Sequence, residues 1–560
     1  MYFEKNYKEA TIMKILGING WTVRGHDGGA TLIEDGRLKF AIEEERLIGI
    51  RHAYDRIPYE SIKMICQEEN VCIDNIDKVA IGWNYPVLWK MFGKEFISKE
   101  EMSQKLFNTE HFANKIVYVD HHFAHACSAF YPSNFTDAIV LVIDGQGELI
   151  ATSVFVGKRA ENKLEKVYET QTSLGYFYAA VTEHIGFYSG QEGKTMGLAS
   201  YGKPVYLDTL RKFISADNEG KIQCSFIIDK KSKDEEDETI AKWSEILSTI
   251  LPKRTGKISE VSDEILPYAN LASSAQKLLE EILVNIVSYY CTQYKISNVA
   301  IAGGVGLNCA ANGVISELPC VTKVFTQPAA NDGGISLGAA LAVAKDCNEN
   351  INFEMIPYQG NCFTDKQIEH FLKEKKVSYS KSGCICKEIA KLVSEGKIVA
   401  NFQGRLEFGP RALGNRSILA DPRKSDMLYR LNVLKGREVW RPLAPAVLFD
   451  KQKNFFSTSQ FSPYMTINCE VLQEVQAKIE AVTHVDGTAR IQSVSTEYNP
   501  LFYDIIKEFY NITGIPVMIN TSFNIKGEPI VATPEEALKS AIAMKLDYLA
   551  IGNFIIKVHN

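Results

Sequence analysis

The stretch DAIVLVIDGQGE at residues 137–148 is a β-branched run that ends in a glycine turn, and KILGING at residues 14–20 has the same design. Each is followed by further alternating runs, ATSVFVGK at 151–158 and ATLIEDGRLKFAIEEER at 30–46. Apolar and polar residues that alternate around a glycine-rich turn are typical of a strand–turn–strand unit. The sequence therefore predicts two copies of one such unit.

A duplicated hairpin of this kind is how the actin-like (ASKHA) fold builds its two phosphate-facing loops. Apolar residues three and four positions apart predict helices over 59–70 and 270–295, and NVAIAGGV at 298–305 predicts a buried strand. Strands that alternate with helices indicate the α/β class. We therefore expect a duplicated, actin-like α/β domain in the first part of the chain.

The domain organisation follows from the length and texture of the chain. With 560 residues, it is too long for one hydrophobic core. Residues 1–12 are polar and precede the first strand, so we expect them to form an N-terminal extension. The actin-like domain is expected over 13–350, followed by a loop-rich connection at 347–365. A second α/β domain is expected over 366–560, with its last strand left free to return to the first domain.

The composition narrows the function classes. A net charge of −6 argues against a nucleic-acid binder that relies on an overall positive field. No run of 18 apolar residues is present, so no membrane span is expected, and the first residues lack the apolar core of a signal peptide. Twelve scattered cysteines without a CxxC pair fit free thiols. We expect a cytoplasmic protein with no nucleic-acid or membrane partner.

Four residues of the first domain predict a metal site. In DHHFAHACSAFY (120–131), helical geometry places His121 and His125 one turn apart on one face. Asp144 and Asp332 each end a strand at a glycine turn, where an actin-like fold points carboxylates into its cleft. Two imidazoles and two carboxylates suit a divalent transition metal. The alternative is a hydrogen-bonded histidine pair without a metal.

Glycine-rich segments predict nucleotide contacts. AGGVGLNCAANG (302–313) follows a strand and opens a helix, where the backbone can approach a phosphate and the helix N-terminus favours anions. The segment GQEGKTMGLASYGKP (190–204) lacks the spacing of a P-loop, so we interpret it as a lid or phosphate-side loop, with an ordinary mobile loop as the alternative. The residues expected at the nucleotide are Gly303, Gly304, Gly306, Asn308, Gly333 and Lys194.

Cationic and polar side chains are concentrated in four segments of the second domain. The segments are NFQGRLEFGPRALGNRSILADPR (401–423), KGREVWRPLAP (435–445), HVDGTARIQ (484–492) and NTSFNIKGEPIV (520–531). Guanidinium forks bind phosphate and carboxylate in a bidentate manner. In an acidic chain, so many donors indicate small anionic ligands. About half of these arginines are expected to be structural, and the sequence leaves open which ones.

Taken together, these motifs resemble one family. The stretches that carry the resemblance are GHDGGATL (25–32), AIEEER (41–46), DHHFAHACSAF (120–130), DGQGE (144–148), GKTMGLASYG (193–202), GGVGLN (303–308), NDGG (331–334), GRLEFGPRALGNRSILADPR (404–423), REVWRPLAP (437–445) and NTSFNIKGEPIV (520–531). They are similar to the NodU/CmcH-type O-carbamoyltransferases, to which the tobramycin, cephamycin and nodulation-factor carbamoyltransferases belong. The resemblance runs from about residue 13 to residue 557.

The resemblance implies a two-step reaction. A YrdC-like C-terminal domain would convert carbamoyl phosphate and ATP, the latter with Mg²⁺, into carbamoyladenylate. The residues that would hold carbamoyl phosphate are Arg411, Arg416, Lys435, Arg441, Arg490 and Asn520, with Lys435 and Arg441 also catalytic. The actin-like domain would bind the intermediate at its metal, for which iron(II) is expected and manganese(II) or zinc(II) are the alternatives. The carbamoyl group would then pass to a hydroxyl of a small-molecule natural product.

Two assignments within this pattern need separate mention. His26 and Asp27, beside the first hairpin, are the candidates for contacting or deprotonating the acceptor hydroxyl; alternatively, both shape the turn. Lys435 lies one residue closer to Arg437 than in the family's pattern, so Arg437 is left out of the predicted set.

Other functions stay open at this point. A threonylcarbamoyl-type tRNA-modification enzyme would share both domain types, although the acidic balance disfavours tRNA. A sugar-kinase-like or heat-shock-type ATPase would share the first domain and release ADP, and a scaffold or metal-binding protein would show no turnover. The acceptor, the metal and the oligomeric state, a homodimer included, are not legible from the sequence.

Overall fold

The computed structural model describes residues 12–21, 25–91, 93, 95–226 and 235–559. Apart from Ile12, the predicted N-terminal extension lies outside the described residues. Two parts of the chain each build their own sheets, with the connection between them at residues 347–364, which contain no helix. No described helix combines the length and apolar character that crossing a membrane requires.

The N-terminal part is built on two five-stranded sheets and one small ribbon. Its strands are β1 Lys14–Asn19, β2 Gly29–Glu34, β3 Arg37–Glu43, β4 Lys78–Ile81, β5 Ile116–Tyr118, β6 Asp137–Ile143, β7 Thr152–Lys158, β8 Lys163–Thr170, β9 Ile214–Ala216, β10 Ile222–Cys224, β11 Asn298–Ala302 and β12 Lys323–Thr326. The first large sheet has the order β3-β2-β1-β4-β5 and the second the order β8-β7-β6-β11-β12. In both, three antiparallel strands are followed by two parallel ones. This shared topology confirms the predicted duplication and the actin-like α/β fold.

Helices cover these sheets and separate them. They are α1 Glu45–Ile48, α2 Tyr59–Glu68, α3 Tyr85–Met91, α4 Lys99–Phe107, α5 His121–Phe130, α6 Leu174–His184, α7 Glu192–Ala199, α8 Leu207–Leu210, α9 Glu235–Ser248, α10 Leu266–Tyr294, α11 Cys309–Ser316 and α12 Ile335–Asp346. Helix α12 packs on the first sheet, α5 packs on the second, and the two helices contact each other. A Cβ at Gly338 of α12 would lie 1.9 Å from the carbonyl oxygen of Ala124 in α5. This close packing places the histidines of α5 at the centre of the domain.

The C-terminal part forms one nine-stranded mixed sheet. Its strands are β13 Ser380–Lys381, β14 Val399–Phe402, β15 Arg416–Ala420, β16 Ala444–Leu448, β17 Ile467–Glu470, β18 Thr488–Val494, β19 Val517–Ser522, β20 Tyr548–Ile551 and β21 Phe554–Lys557. They are arranged in the order β13-β21-β20-β14-β15-β19-β16-β18-β17. The last strand, β21, pairs with β20 and β13 of this sheet. The prediction that it could return to the N-terminal domain is therefore wrong, because its backbone hydrogen bonds are made within the second domain.

Five helices cover the faces of this sheet. They are α13 Asp365–Glu374, α14 Ile385–Ser394, α15 Asp426–Leu434, α16 Pro500–Thr513 and α17 Pro534–Ala543. Helices α14 and α16 share one apolar cluster with the sheet, and α13, α15 and α17 share another. The part is thus an α/β domain with an apolar core on each side of its sheet.

The two domains contact each other directly through backbone groups. Asn312 of α11 donates from Nδ2 to the carbonyl oxygen of Thr466, next to β17, at 3.0 Å. On the other side, Arg46 donates from Nη2 to the carbonyl oxygen of Gly409 at 2.8 Å, and the N–H of Gly409 donates to Oε1 of Glu43. A cavity lies between these contacts.

Candidate active site

Two histidines and two aspartates meet in the buried interior of the N-terminal domain. His121 Nε2 lies 3.2 Å from Oδ2 of Asp144 and 3.5 Å from Oδ1 of Asp332. His125 Nε2 lies 3.6 Å from each of the same two oxygens. The four ligand atoms all lie within 4.8 Å of one another. The structure therefore brings together the four residues that the sequence predicted as metal ligands.

The chemistry of this His/Asp cluster fits a metal ion. Both ring nitrogens of His125 are buried, and neither has a hydrogen-bond partner among the residues that the structure describes. Buried polar atoms without partners are costly unless something else satisfies them. Two imidazole nitrogens and two carboxylates form a donor set that first-row divalent metals accept. The cluster could therefore hold a metal ion.

Neighbouring groups orient the residues of the His/Asp cluster. Helix α5 begins at His121 because Asp120 caps it, accepting from the N–H of Phe123 at 2.8 Å. The His121 ring packs against Trp83, with 3.8 Å between the ring centroids and a tilt of 34° between the planes. Asp144 Oδ1 accepts from the N–H of Gly304 at 2.9 Å. Such outer contacts fix the direction in which a ligand atom points.

A cavity of about 920 Å³ lies between the two domains. Its N-terminal wall is formed by the turn after β1, the end of β3 and helices α7, α10 and α11, and its C-terminal wall by the four cationic segments and β17. Asn331, which directly precedes Asp332, also lines the cavity, and its Oδ1 is buried without a partner among the described residues. The cavity is therefore lined by the cationic segments and reaches Asn331, one residue from the His/Asp cluster, although none of the four cluster residues is part of its wall.

Six cations line the C-terminal wall of this cavity, and we call the five other than Lys526 the cation pocket. They are Arg411, Lys435, Arg437, Arg441 and Arg490. Burial and the neighbouring Arg490 lower the pKa of Arg411 to about 9, and burial and the neighbouring Arg441 lower the pKa of Arg437 to about 9. Buried like charges repel one another, so a bound anion would stabilise the arrangement. The cation pocket is thus suited to phosphate or another small anion.

Two protein-family models match this chain, one over each domain. The family model described as "Carbamoyltransferase N-terminus" matches residues 14–341, and the model described as "Carbamoyltransferase C-terminus" matches residues 390–558. The chain belongs to the carbamoyltransferase family. It is therefore a transferase, and the predicted resemblance is confirmed over both domains.

Two relatives match this carbamoyltransferase over nearly its whole length. An uncharacterized protein of Synechocystis sp. is 31% identical over 97% of this chain and 96% of its own length. The nodulation protein NolNO of Sinorhizobium fredii is 33% identical over 95% of this chain and 79% of its own length. Among solved structures, HypF of T. kodakarensis aligns with a TM-score of 0.33 and 13% identity, covering 60% of this chain and 48% of that one.

Lys435 and Asn520 of the carbamoyltransferase, both predicted to hold carbamoyl phosphate, line the cavity and already make contacts there. Lys435 Nζ donates to the carbonyl oxygen of Ser522 and, at 3.2 Å, to the carbonyl oxygen of Asn524. Burial and the neighbouring Arg437 lower the pKa of Lys435 well below its ordinary value. Asn520 donates to Gln492 Oε1 at 2.7 Å, whereas its own Oδ1 is buried without a partner among the described residues.

Arg416 does not reach the cavity, contrary to the sequence prediction. It is fully buried at the start of β15, and its Nη2 donates to the carbonyl oxygens of Gly404 and Asn361 at 3.1 and 3.4 Å. Its Nη1 donates to further carbonyl oxygens, including that of Gln403. The guanidinium carbon lies 3.8 Å from the centroid of the Phe402 ring. Because carbonyl oxygens surround this guanidinium, Arg416 is a structural arginine and not a carbamoyl phosphate ligand.

The glycines predicted at the nucleotide lie behind the cavity wall. Gly303 has φ of +89°, and a Cβ there would lie 2.2 Å from the carbonyl oxygen of Ile143, so this loop packs on β6. The N–H of Gly304 donates to Asp144 of the His/Asp cluster, and Gly306 and Gly333 are buried. Within the described part of the chain, the cavity is lined at this point by residues of α11, namely Cys309, Ala310, Gly313 and Val314.

Asn308 and Lys194 are likewise engaged elsewhere. The Asn308 side chain caps α11 through the N–H of Ala311 and exchanges two hydrogen bonds with Gln276, of 2.9 and 3.1 Å. Lys194 Nζ lies 2.9 Å from Oε1 of Glu438, a residue of the C-terminal domain. The structure thus brings neither side chain to the cavity wall as a nucleotide ligand, and it gives Lys194 an interdomain partner.

Of the two residues predicted to contact the acceptor, Asp27 lies on the cavity wall and His26 does not. Asp27 lines the cavity, whereas the His26 side chain is 46% exposed and lies outside the wall, with its Nδ1 3.1 Å from Oδ2 of Asp27. Asp27 Oδ1 is 2.7 Å from Nδ1 of His52, which does line the cavity. Asp27 and His52 both have positive φ, of +50° and +63°. The sequence prediction missed His52, which the positive-φ segment after α1 carries to Asp27.

Two further cavity residues were missed, although the motif AIEEER contains both. Glu43 ends β3, and burial raises its pKa to about 6. Its Oε2 is buried without a hydrogen-bond partner among the described residues and lies 3.8 Å from Nε of Arg46. Arg46 is buried, and its Nη1 lies 2.9 Å from Oε1 of Glu45. Three consecutive glutamates at the end of an apolar strand were the signal that could have found them, since such charges are rarely buried without a role.

Proposed function

We propose that this carbamoyltransferase joins carbamoyl phosphate and ATP into carbamoyladenylate and transfers the carbamoyl group to a hydroxyl of a small molecule. The observation that supports the proposal is the cavity of about 920 Å³ that the cation pocket lines and that reaches Asn331, one residue from the His/Asp cluster. A single shared space suits a labile mixed anhydride, since transfer within one cavity shortens its exposure to water, which would hydrolyse it.

In the first step, the cation pocket would bind carbamoyl phosphate. Hydrolysis of its acyl-phosphate bond consumes one water and gives carbamate and phosphate. The carbamate oxygen then attacks the α-phosphorus of ATP, a P–O bond to the leaving pyrophosphate breaks, and carbamoyladenylate forms. Arg411, Arg437, Arg441 and Arg490, which line the cavity, would stabilise the negative charge on these phosphates. The nucleoside would lie on the wall formed by α10 and α11, and Mg²⁺ would accompany ATP.

In the second step, the acceptor oxygen attacks the carbamoyl carbon, the C–O bond to AMP breaks, and the acceptor proton must leave. Asp27, with its two histidine contacts, is the group on the cavity wall that we propose to orient or deprotonate the acceptor. His121, His125, Asp144 and Asp332 would hold a divalent metal, proposed to be iron(II), which when bound supplies a Lewis acid for phosphate oxygens.

The test is an incubation of the enzyme with ATP, carbamoyl phosphate, Mg²⁺ and iron(II), analysed by mass spectrometry. We expect carbamoyladenylate, phosphate and pyrophosphate without an acceptor, and carbamoylated product with AMP when a panel of hydroxylated acceptors is added. An enzyme that never consumes carbamoyl phosphate would contradict the proposal. Release of ADP would point to a kinase-like ATPase, and retention of tRNA on a filter at moderate salt would point to a tRNA-modifying enzyme.

A further inference from the structure

The segment Arg437–Arg441 belongs to the C-terminal domain but contacts both domains. Arg437 and Arg441 line the cavity as members of the cation pocket. The residues between them include Glu438 and Trp440, whose side chains contact the N-terminal domain. The backbone turns sharply here, since the N–H of Arg441 donates to the carbonyl oxygen of Glu438 at 3.2 Å. Whatever holds Glu438 and Trp440 therefore also sets the direction of the two arginines.

Trp440 is anchored in the core of the other domain. It is 6% exposed and is part of the apolar cluster of the second N-terminal sheet. Its indole Nε1 donates to the carbonyl oxygen of Ile258 at 3.1 Å, and its own carbonyl oxygen accepts from Tyr201 Oη at 3.1 Å. The Phe187 ring stacks on it, with 6.2 Å between the centroids. These contacts fix the backbone one residue before Arg441.

Glu438 is held by Lys194 of α7. The Lys194–Glu438 pair is 2.9 Å long, and the two side chains are only 15% and 14% exposed. Lys194 Nζ also lies 5.3 Å from the centroid of the Phe187 ring, so Phe187 contacts both parts of the junction. A partly buried ion pair is less screened by salt than one on the surface.

Glu438 also has a second cation within reach. Its Oε2 lies 3.8 Å from Nη1 of Arg441 and is buried without a hydrogen-bond partner among the described residues. Lys194 therefore competes with Arg441 for one carboxylate. If Lys194 were absent, Glu438 would be free to pair with Arg441 and would withdraw that guanidinium from the anion.

We propose that Lys194, Glu438 and Trp440 form an interdomain latch that positions Arg437 and Arg441 for carbamoyl phosphate. These three are positioning residues, since they act through the two arginines. The N-terminal domain then contributes to the first step of the proposed function as well as to the second. The inference rests on that proposed function only in naming carbamoyl phosphate as the anion.

The test measures carbamoyl phosphate binding to the full chain by isothermal titration calorimetry, and carbamoyl-phosphate-dependent pyrophosphate release with ATP. We expect Lys194→Met to raise both Kd and KM for carbamoyl phosphate roughly tenfold, with little change in KM for ATP. Adding Glu438→Gln to this variant should restore most of the affinity, because the competing carboxylate is gone. Trp440→Phe, which keeps the ring but loses the indole donor, should raise the same two constants.

The matched control is Lys375→Met, which removes a lysine from a 2.8 Å pair with Glu535 that is far more exposed. It should bind carbamoyl phosphate like the wild type. The latch is overturned if Lys194→Met binds like Lys375→Met, or if the double variant binds no better than Lys194→Met. Binding without any pyrophosphate release in the wild type would contradict the proposed function while still testing the latch through Kd, and a wild type that does not bind carbamoyl phosphate would overturn both.

Discussion

The cation pocket lines the cavity and the His/Asp cluster lies next to it, but the two are built in opposite ways. In the cluster, two carboxylates face two imidazoles, and all four residues come from one domain. In the pocket, five cations lie together, and burial and mutual repulsion lower the pKa values of Arg411 and Arg437 to about 9. The cluster is therefore complete within its fold, whereas the pocket needs a ligand to balance its charge and a second domain to hold its shape.

The largest expected effect comes from removing one cation. Arg441→Ala should lower carbamoyl-phosphate-dependent pyrophosphate release by roughly 10²–10³-fold, the usual loss when one charge-stabilising donor is removed. The bound metal content, measured by inductively coupled plasma mass spectrometry, should not change. Arg430→Ala is the control, since Arg430 lies on α15 outside the cavity wall. Equal losses of pyrophosphate release in the two variants would contradict a specific role for Arg441, since an arginine outside the cavity would then matter as much.

The complementary change removes one residue of the cluster. His125→Ala should reduce the amount of bound iron(II) or zinc(II) at least about tenfold, because one of four ligands is lost. Pyrophosphate release should persist, whereas product formation with an acceptor should stop. His122→Gln is the matched control, since His122 points to Ser153 Oγ at 2.7 Å and not to the cluster. If His125→Ala and Arg441→Ala fail at the same step, the two sites do not divide the reaction.

Arg416 offers a test of which arginines belong to the pocket. Arg416→Lys should lower the free energy of unfolding by about 3 kcal/mol, because a lysine cannot satisfy the surrounding carbonyl oxygens in the plane of a guanidinium. Calorimetric unfolding of the full chain would show this as a lower transition midpoint. Carbamoyl phosphate should bind the folded variant with the wild-type Kd. Weaker binding with unchanged stability would return Arg416 to the pocket.

The smallest expected effect concerns pH. Burial and the nearby Arg490 lower the pKa of His484 on the cavity wall to about 4, below its ordinary value of 6.5, although Asp486 opposes the shift. Between pH of about 6.5 and 4 the unfolded chain therefore binds more protons at this residue, so the folded state loses stability as the pH falls. His484→Gln should make the unfolding midpoint fall less between pH 7 and pH 5. An identical fall in both proteins would contradict this shift.

Much of the N-terminal domain could be predicted because its signals are local. The two hairpin units follow from alternation and glycine turns, and α10 follows from its apolar periodicity. The His/Asp cluster was legible in part, since His121 and His125 share one helix face and Asp144 directly follows β6. Asp332, expected at the end of a strand, instead begins a 3₁₀ turn beyond the end of β12 at Thr326. Within each hairpin and helix, neighbours in sequence become neighbours in space, so a short window predicts these elements, whereas only the fold brings Asp332 to the two histidines.

For the cation pocket, the sequence predicted that cationic residues are concentrated in the second domain, but not which of them line the cavity. Arg411 and Arg416 are five residues apart in one motif, yet one lines the cavity and the other is enclosed by carbonyl oxygens. His52 reaches Asp27 because its backbone has a positive φ, which the local sequence does not predict. Lys194 meets Glu438 across 244 positions of sequence. Such choices depend on tertiary packing, which no local pattern encodes.

The contact between Gly409 and its two partners, Glu43 and Arg46, has an evolutionary consequence. Both partners recognise a peptide group, and a Cβ at residue 409, where φ is +108°, would lie 2.6 Å from the carbonyl oxygen of Pro328. On the C-terminal side, this interdomain contact uses only the backbone of residue 409. A C-terminal domain taken from a relative would therefore keep both hydrogen bonds if it had glycine at this position. Trp440, by contrast, packs against side chains of the N-terminal domain. A chimaeric enzyme that contains Trp440 would therefore also need Phe187 and Tyr201 in its N-terminal domain.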